Sequence, residues 1–202
     1  MHQMKHIFTA LALVSAMILA GCSSSSSSRS SAASTQRSQT TDAGYDQDTV
    51  LDAAQGVFGD GAEGLAGIVE NLFSELGRPN AYIAGEEAGG GLVAALRYGG
   101  GTLHHKIEGQ RPVHWTGPSI GFDAGGDAAK VFVLVYNLYD TENLYRRYPA
   151  AEGQFYFVGG LGVSYYQRKD IVIVPIRLGV GLRAAANVGY IKFTESQTLN
   201  PF

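Results

Sequence analysis

The chain has 202 residues, a formal net charge of −3, 45% hydrophobic residues and 27 glycines. This length and apolar content suit one folded domain with its own core. The slight negative charge, with no basic stripe among the aromatic residues, excludes nucleic acid as a partner. Glycine is well above its average usage of about 7%. Together with 11 tyrosines and 9 phenylalanines, this favours a β-rich fold with tight corners.

The first residues have the features of an export signal. An apolar run of 14 residues, from Ile7 to Ala20, follows Lys5. It is shorter than the roughly 20 residues that a membrane-spanning helix needs. The run ends in Leu19-Ala20-Gly21-Cys22, which resembles the signal of a bacterial lipoprotein. The resemblance implies that residues 1–21 are removed and that Cys22 carries the lipid, with acyl chains such as palmitate.

The next segment is polar. Residues 23–48 are mostly Ser, Thr, Gln and Asp, and they begin with six consecutive serines. Such a composition buries too little apolar surface to fold. We predict a lipidated, flexible tether over residues 22–48, spanning about 28 Å on average. Ser23, rather than Asp, follows the cysteine, which in lipoproteins implies the periplasmic face of the outer membrane. The membrane is then a partner through the anchor.

Residues 49–78 are predicted to be helical. Apolar residues recur at helical spacing, Thr49-x-x-Asp52 has the pattern of a capping box, and Gly77-Arg78-Pro79 is a stop signal. Gly59-Asp60-Gly61 is expected to split the segment into two short helices, since interior glycine costs about 1 kcal/mol. The acidic polar face favours packing on a sheet over binding to an anionic membrane surface.

Residues 79–202 show period-two patterns typical of strands. Ile171–Arg183 alternates most clearly, and Lys130–Leu138 is apolar on both faces, which predicts a strand covered on both sides. Gly99-Gly100-Gly101 is predicted to form a hairpin turn, and Gly159-Gly160 to lie inside a strand at a bend. Asp140 is expected to open a short helix that ends at Pro149.

These patterns predict a mainly β (α+β) fold. About eight strands joined by short turns favour a small antiparallel β-barrel, with one or two N-terminal helices over an opening or a face. An open sandwich is the alternative. A barrel that spans the outer membrane is disfavoured by the lipoprotein signal and by strands buried on both faces.

Two sequence motifs match catalytic or cofactor signatures but lack the required context. Gly117-Pro118-Ser119-Ile120-Gly121 fits G-x-S-x-G, but a helix should follow it and an Asp and a His should lie downstream. The last histidine is His114. Gly179-Val180-Gly181-Leu182-Arg183-Ala184 fits the dinucleotide fingerprint, yet a further strand, not a helix, is expected after it. We therefore predict that Ser119 is an ordinary strand or turn residue. We also predict that the protein is not an enzyme and binds no cofactor.

Metal binding and a carboxylate pair are also disfavoured. His104 and His105 should point to opposite faces of a strand, and His114 could join only one of them across a hairpin. The carboxylates of Glu86, Glu87, Asp123 and Asp127 have no spacing that selects a ligand set. The same alternation separates Glu86 from Glu87, whereas a glycosidase pair must converge. No catalytic and no metal-binding residue is predicted.

One polar group of residues suggests a binding site. Arg177 and Arg183 flank Gly179 and Gly181 on one face of the same predicted strand. A floor without side chains between two guanidinium groups could receive an anionic lipid head group. We favour a simpler interpretation than a binding site, namely that both arginines lie on the surface along the barrel wall.

Several distinctive clusters lie along roughly residues 78–202. They include Arg97-Tyr98-Gly99-Gly100-Gly101-Thr102-Leu103, Trp115-Thr116-Gly117-Pro118-Ser119, Tyr156-Phe157-Val158-Gly159-Gly160 and the terminal Asn200-Pro201-Phe202. In content and order these clusters resemble the envelope-integrity protein A family of periplasmic proteins. The resemblance implies a small periplasmic β-barrel without known catalytic residues and a role in resistance to envelope stress. The lipoprotein signal and serine tether depart from the family. A more distant similarity to lipid-binding SYLF domains rests on Arg97, Trp115 and Pro118.

Two functions follow from these observations. The first is a non-catalytic envelope maintenance protein that acts through contacts with an envelope protein or through a structural role. The second is a barrel that binds a lipid or another amphiphile. Aromatic residues on the core face favour a filled barrel and the first function, because an eight-stranded barrel holds either packed side chains or one small ligand.

Overall fold

The computed structural model describes residues 43–59, 62–90, 95–119, 128–178 and 189–198. The signal, Cys22 and most of the predicted tether therefore lie outside the described residues, as do Asp123, Asp127, Gly179, Gly181 and Arg183. Strands β1 to β8 are Ala81–Gly90, Ala95–His105, Gly109–Ser119, Ala129–Tyr136, Arg147–Val158, Leu161–Arg168, Ile171–Leu178 and Tyr190–Thr194. Helices α1 and α2 are Gln47–Phe58 and Leu65–Leu76, and a 3₁₀ turn covers Thr141–Leu144.

The strands form one closed antiparallel barrel in the order β1-β2-β3-β8-β5-β6-β7-β4, so the predicted barrel is confirmed. β1 closes the circle by pairing with β4, from Ala81 opposite Val135 to Glu87 opposite Ala129. The register between β5 and β6 shifts between Ala150 and Phe155, as expected where a β-bulge bends a closing sheet.

Two apolar cores share the barrel wall. One fills the barrel with side chains from all eight strands, among them Ile83, Leu103, Val113, Trp115, Val133, Tyr148, Tyr166, Ile173 and Phe193. The other lies outside the barrel, where the helices pack on β4, β6 and β7. Every residue of β4 from Val131 to Tyr136 is buried, which confirms that this strand is covered on both faces.

The helices cover one face of the barrel rather than an opening. Helix α1 contributes Val50, Ala54 and Phe58 to the outer core, and α2 contributes its own buried stripe. The N-cap of α1 is Asp46, whose Oδ1 accepts a hydrogen bond from the Thr49 amide at 2.9 Å. The capping box predicted at Thr49 therefore begins three residues too late. Among the described helices, none combines the length and apolarity needed to cross a bilayer.

Three local predictions are wrong. Gly99-Gly100-Gly101 lies inside β2, not in a turn, because neighbouring strands and side chains occupy the space beside these residues. Gly159-Gly160 is the β5–β6 turn, with φ of 57° and 81°, a conformation that favours glycine. The helix predicted up to Pro149 is only the 3₁₀ turn, and Pro149 belongs to β5, opposite Tyr190.

Candidate functional site

A cluster of charged and polar side chains lies inside the barrel. Glu87 on β1, Arg97 on β2 and Arg177 on β7 are only 8%, 5% and 2% exposed. Each stands on the inward parity of its strand, in line with apolar residues such as Ile83 and Leu103. Trp115, Ser164 and Tyr166 complete this group, which we call the lumen cluster.

Glu87 and Arg177 form the ion pair of the lumen cluster. Arg177 Nε donates to Glu87 Oε1 at 2.5 Å, and Trp115 Nε1 donates to Glu87 Oε2 at 3.0 Å. Arg177 Nη1 also donates to Ser164 Oγ at 3.1 Å. The pair thus joins β1 to β3, β6 and β7 across the interior, and not only along neighbouring strands.

Arg97 supplies a second guanidinium to the same space. Its Nη2 donates to the Tyr166 hydroxyl, and its Cζ lies 5.6 Å from the centre of that ring. The lumen cluster therefore contains two guanidinium groups and one carboxylate. Loss of the charge on the carboxylate would leave the guanidinium groups buried without compensation, which is strongly destabilising.

The electrostatics keep Glu87 charged. Burial is the largest influence on its pKa and raises it, but Arg177, Arg97 and the hydrogen bonds from Trp115 and Arg177 together outweigh burial and lower it. For Arg177, burial lowers the pKa, while Glu87 and Tyr166 more than compensate and raise it. An ionised carboxylate already paired with arginine is a weak general base. The cluster therefore suits a structural role better than proton transfer.

Arg177 does not lie on the surface, so the favoured interpretation of two surface arginines is wrong for this residue. Its side chain points inward because the odd positions of β7, which include Ile173, face the barrel interior. The proposed glycine floor and Arg183 lie outside the described residues. The structure therefore shows Arg177 in an ion pair with Glu87, and it does not describe the other residues of the proposed head-group site.

The histidines are separated as predicted. His104 is on the outer face, where its ring stacks on Tyr82 with 4.6 Å between centroids. His105 is buried at one end of the barrel, where Nε2 lies 2.6 Å from the Leu138 carbonyl and Nδ1 accepts the Glu108 amide at 3.0 Å. No three His, Cys, Asp or Glu side chains gather as metal ligands would within the described part of the chain.

The sequence interpretation missed the lumen cluster. The sequence suggests Glu87 only as a metal ligand or as a partner of Glu86, yet Glu86 is exposed and Glu87 is buried. A signal was present, because Glu87 and Arg97 share parity with Ile83 and Leu103. A charge in register with core positions indicates a buried pair. The sequence does not indicate which residue of opposite charge pairs with Glu87.

The fold and the buried ion pair define a class: a closed eight-stranded antiparallel barrel with a filled interior and two helices on its outer face. The profile of the family described as envelope integrity protein A matches residues 43–202. The chain belongs to this family, as its sequence clusters indicated.

A solved structure agrees with this assignment. The crystal structure of a beta-barrel-like, uncharacterised protein from Brucella abortus is similar to this chain, with 42% sequence identity and a TM-score of 0.73. The similarity covers 79% of this chain and 99% of that one. No protein with a curated description matches. Membership of an envelope integrity family implies a location in the cell envelope.

Proposed function

We propose that this protein is a lipoprotein on the periplasmic face of the outer membrane, with a non-catalytic role in envelope integrity and stress resistance. The family match over residues 43–202 carries the proposal. The anchor rests on Leu19-Ala20-Gly21-Cys22, a pattern whose cysteine supplies the thiol that lipoprotein processing requires. Two or more acyl chains make such anchoring stable.

The packed barrel supports a role through surfaces rather than through an internal ligand. Side chains from all eight strands fill the described interior, and the largest of them, such as Trp115, Tyr148 and Tyr166, are at most 2% exposed. Glu87, the buried carboxylate, is held by Arg177. We therefore place the binding of partners on the outside of the barrel and at its ends.

The anchor is tested by labelling cells with radioactive palmitate. The expected result is label in the wild-type protein and in Ser23→Ala, but none in Cys22→Ala. Ser23→Ala is the matched control because it alters the neighbouring residue and keeps the thiol. Equal labelling of Cys22→Ala and wild type would refute lipidation at this residue.

The envelope role is tested with a deletion strain exposed to detergent and to EDTA. We expect reduced survival, restored by the wild-type chain. If the deletion strain survives as well as its parent under both treatments, the proposed role is wrong. Partial restoration by Cys22→Ala would show that the barrel contributes without its anchor.

A further inference from the structure

A pocket of about 340 Å³ opens at one end of the barrel. Its walls are the segment between β4 and β5 and the two-residue hairpin between β6 and β7. The lumen cluster lies elsewhere, because Glu87, Arg97 and Arg177 are near the opposite ends of their strands. The volume is within the range of small-ligand sites, about 300–1,000 Å³.

Cationic side chains dominate this pocket. Arg146, Arg168 and Lys169 line it, against one carboxylate, Asp170. Among the described residues, the ion pairs within 4.0 Å are those of Arg111 with Glu142 and of Arg177 with Glu87. None of the three pocket cations therefore forms an ion pair within 4.0 Å with a described carboxylate.

The charges of both arginines act on one tyrosine hydroxyl of the pocket. Tyr148 donates to the Asn143 carbonyl at 2.7 Å, and both residues line the pocket. Burial raises the pKa of Tyr148 to about 12, while the charges of Arg168 and Arg146 act in the opposite direction. Arg168 donates to the main-chain carbonyl of Arg147 at 3.1 Å, and Arg146 donates to that of Tyr145 at 3.5 Å.

The backbone around the pocket is unusual. Asn137 and Lys169 have φ of 59° and 54°, and they are the non-glycine residues with positive φ in the described parts of the chain. Both line the pocket. Glycine would relieve the strain at the Lys169 turn, yet a lysine stands there and brings an ammonium group to the rim. Strained residues of this kind cluster at binding sites.

We propose that this pocket binds a phosphate group carried by a small molecule or a lipid. Guanidinium groups bind phosphate oxygens with two parallel hydrogen bonds, and the ammonium of Lys169 adds a third positive charge. The ring of Tyr139, 80% exposed at the rim, offers an apolar contact for the rest of the ligand. A phospholipid head group and a soluble phosphate ester share this chemistry.

The pocket lies at the end of the barrel where β1, the first strand, begins. Tyr45 donates its amide to the Pro79 carbonyl at 2.8 Å, and Asn80 bonds to Leu138 at 2.5 Å, beside Asn137 of the pocket. The chain therefore enters the barrel at the same end. The phosphate site itself does not require the anchor.

The test is a titration of the purified full chain carrying Cys22→Ser, so that lipidation contributes nothing. The probes are inorganic phosphate, glycerol 3-phosphate, and vesicles of phosphatidylglycerol or of phosphatidylcholine. NMR follows the Nε resonances of Arg146 and Arg168. We expect saturable shifts with at least one phosphate probe, and binding about tenfold weaker or more in Arg146→Gln/Arg168→Gln.

The matched control is Arg111→Gln/Lys130→Gln. It removes the same charge from exposed positions outside the pocket and should bind as the parent does. Saturable shifts with the soluble phosphate probes would identify a soluble phosphate ester as the ligand. Binding to phosphatidylglycerol vesicles, without binding to soluble probes or to phosphatidylcholine, identifies a lipid head group.

Three results would overturn the proposal. The first is no saturable shift with any phosphate probe. The second is equal weakening in the pocket variant and the control, which would show only general charge attraction. The third is binding of poly-glutamate without binding of phosphate probes, which would indicate an acidic protein segment instead. Failure of palmitate labelling would refute the anchor and leave this site standing.

Discussion

The indole of Trp115 occupies the space that a side chain at Gly99 would need. A Cβ at position 99 would lie 2.1 Å from Trp115 Cε2 and 2.3 Å from Nε1, the atom that donates to Glu87. Gly99 is also the β2 residue opposite Glu87 on β1. The glycine therefore makes room for the indole that holds the buried carboxylate.

Replacing Gly99 by alanine should disturb the lumen cluster. We expect Gly99→Ala to lower the free energy of unfolding by about 1–3 kcal/mol, because a rigid indole must move within a packed interior. Trp115 is the chain's one tryptophan, so its fluorescence reports the change directly. Gly100→Ala is the control, since its Cβ meets the His114 side chain on the outer face at 3.0 Å. Equal losses in both variants would contradict this account.

Removing the charge of Glu87 should cost far more than removing that of its neighbour. Glu87→Gln leaves Arg97 and Arg177 buried without the carboxylate, and breaking a buried pair costs about 3–5 kcal/mol. Glu86→Gln makes the same chemical change at an exposed position and should stay within about 0.5 kcal/mol of wild type. Urea unfolding at pH 7 measures both. A Glu87→Gln protein as stable as Glu86→Gln would show that the pair contributes little net stability.

Acid should remove the contribution of Glu87. Although burial raises the pKa of this carboxyl, the guanidinium groups of Arg177 and Arg97 bring it below its ordinary value of 4.5. The folded state thus binds fewer protons than the unfolded state in this range. The contribution of Glu87 to stability is therefore complete above pH 4.5 and is lost as the pH falls through the pKa of Glu87 in the folded state. The difference in stability between wild type and Glu87→Gln should narrow below pH 4.5. A difference in stability between the two proteins that stays constant down to pH 2.5 would contradict the lowered pKa of Glu87.

Alkali should act through Tyr148. Burial raises its pKa from 10.0 to about 12, so the folded state keeps a proton that the unfolded state loses. This contribution is complete below pH 10 and disappears as pH rises through 12. Tyr148→Phe should lower stability by about 1 kcal/mol at pH 7, since it deletes the hydrogen bond to Asn143. Its stability should also fall less steeply between pH 10 and 12.

Tyr139→Phe is the control for this experiment, because Tyr139 is 80% exposed. Thermal unfolding of both variants across that pH range provides the measurement. The assignment to Tyr148 fails if Tyr148→Phe and wild type lose stability in parallel.

The sequence determined the class of the fold, because period-two patterning, short turns and the two helical stripes are local properties. Its residue clusters, by their resemblance to a known family, indicated the family. It showed that β4 is covered on both faces, since both parities of Val131–Tyr136 are apolar. It also separated His104 from His105, because alternation along a strand is set by backbone geometry.

Only the tertiary structure decided which distant residues meet. Arg177 lies 90 positions from Glu87, and nothing local selects that partner. Gly99-Gly100-Gly101 has the composition of a turn, and it lies inside a strand because Trp115 and β1 occupy the space beside it. The barrel closes through the pairing of β1 with β4, and β4 also pairs with β7, which brings Glu87 and Arg177 to the same part of the interior. Such contacts depend on register and closure, which are properties of the whole sheet rather than of any one segment.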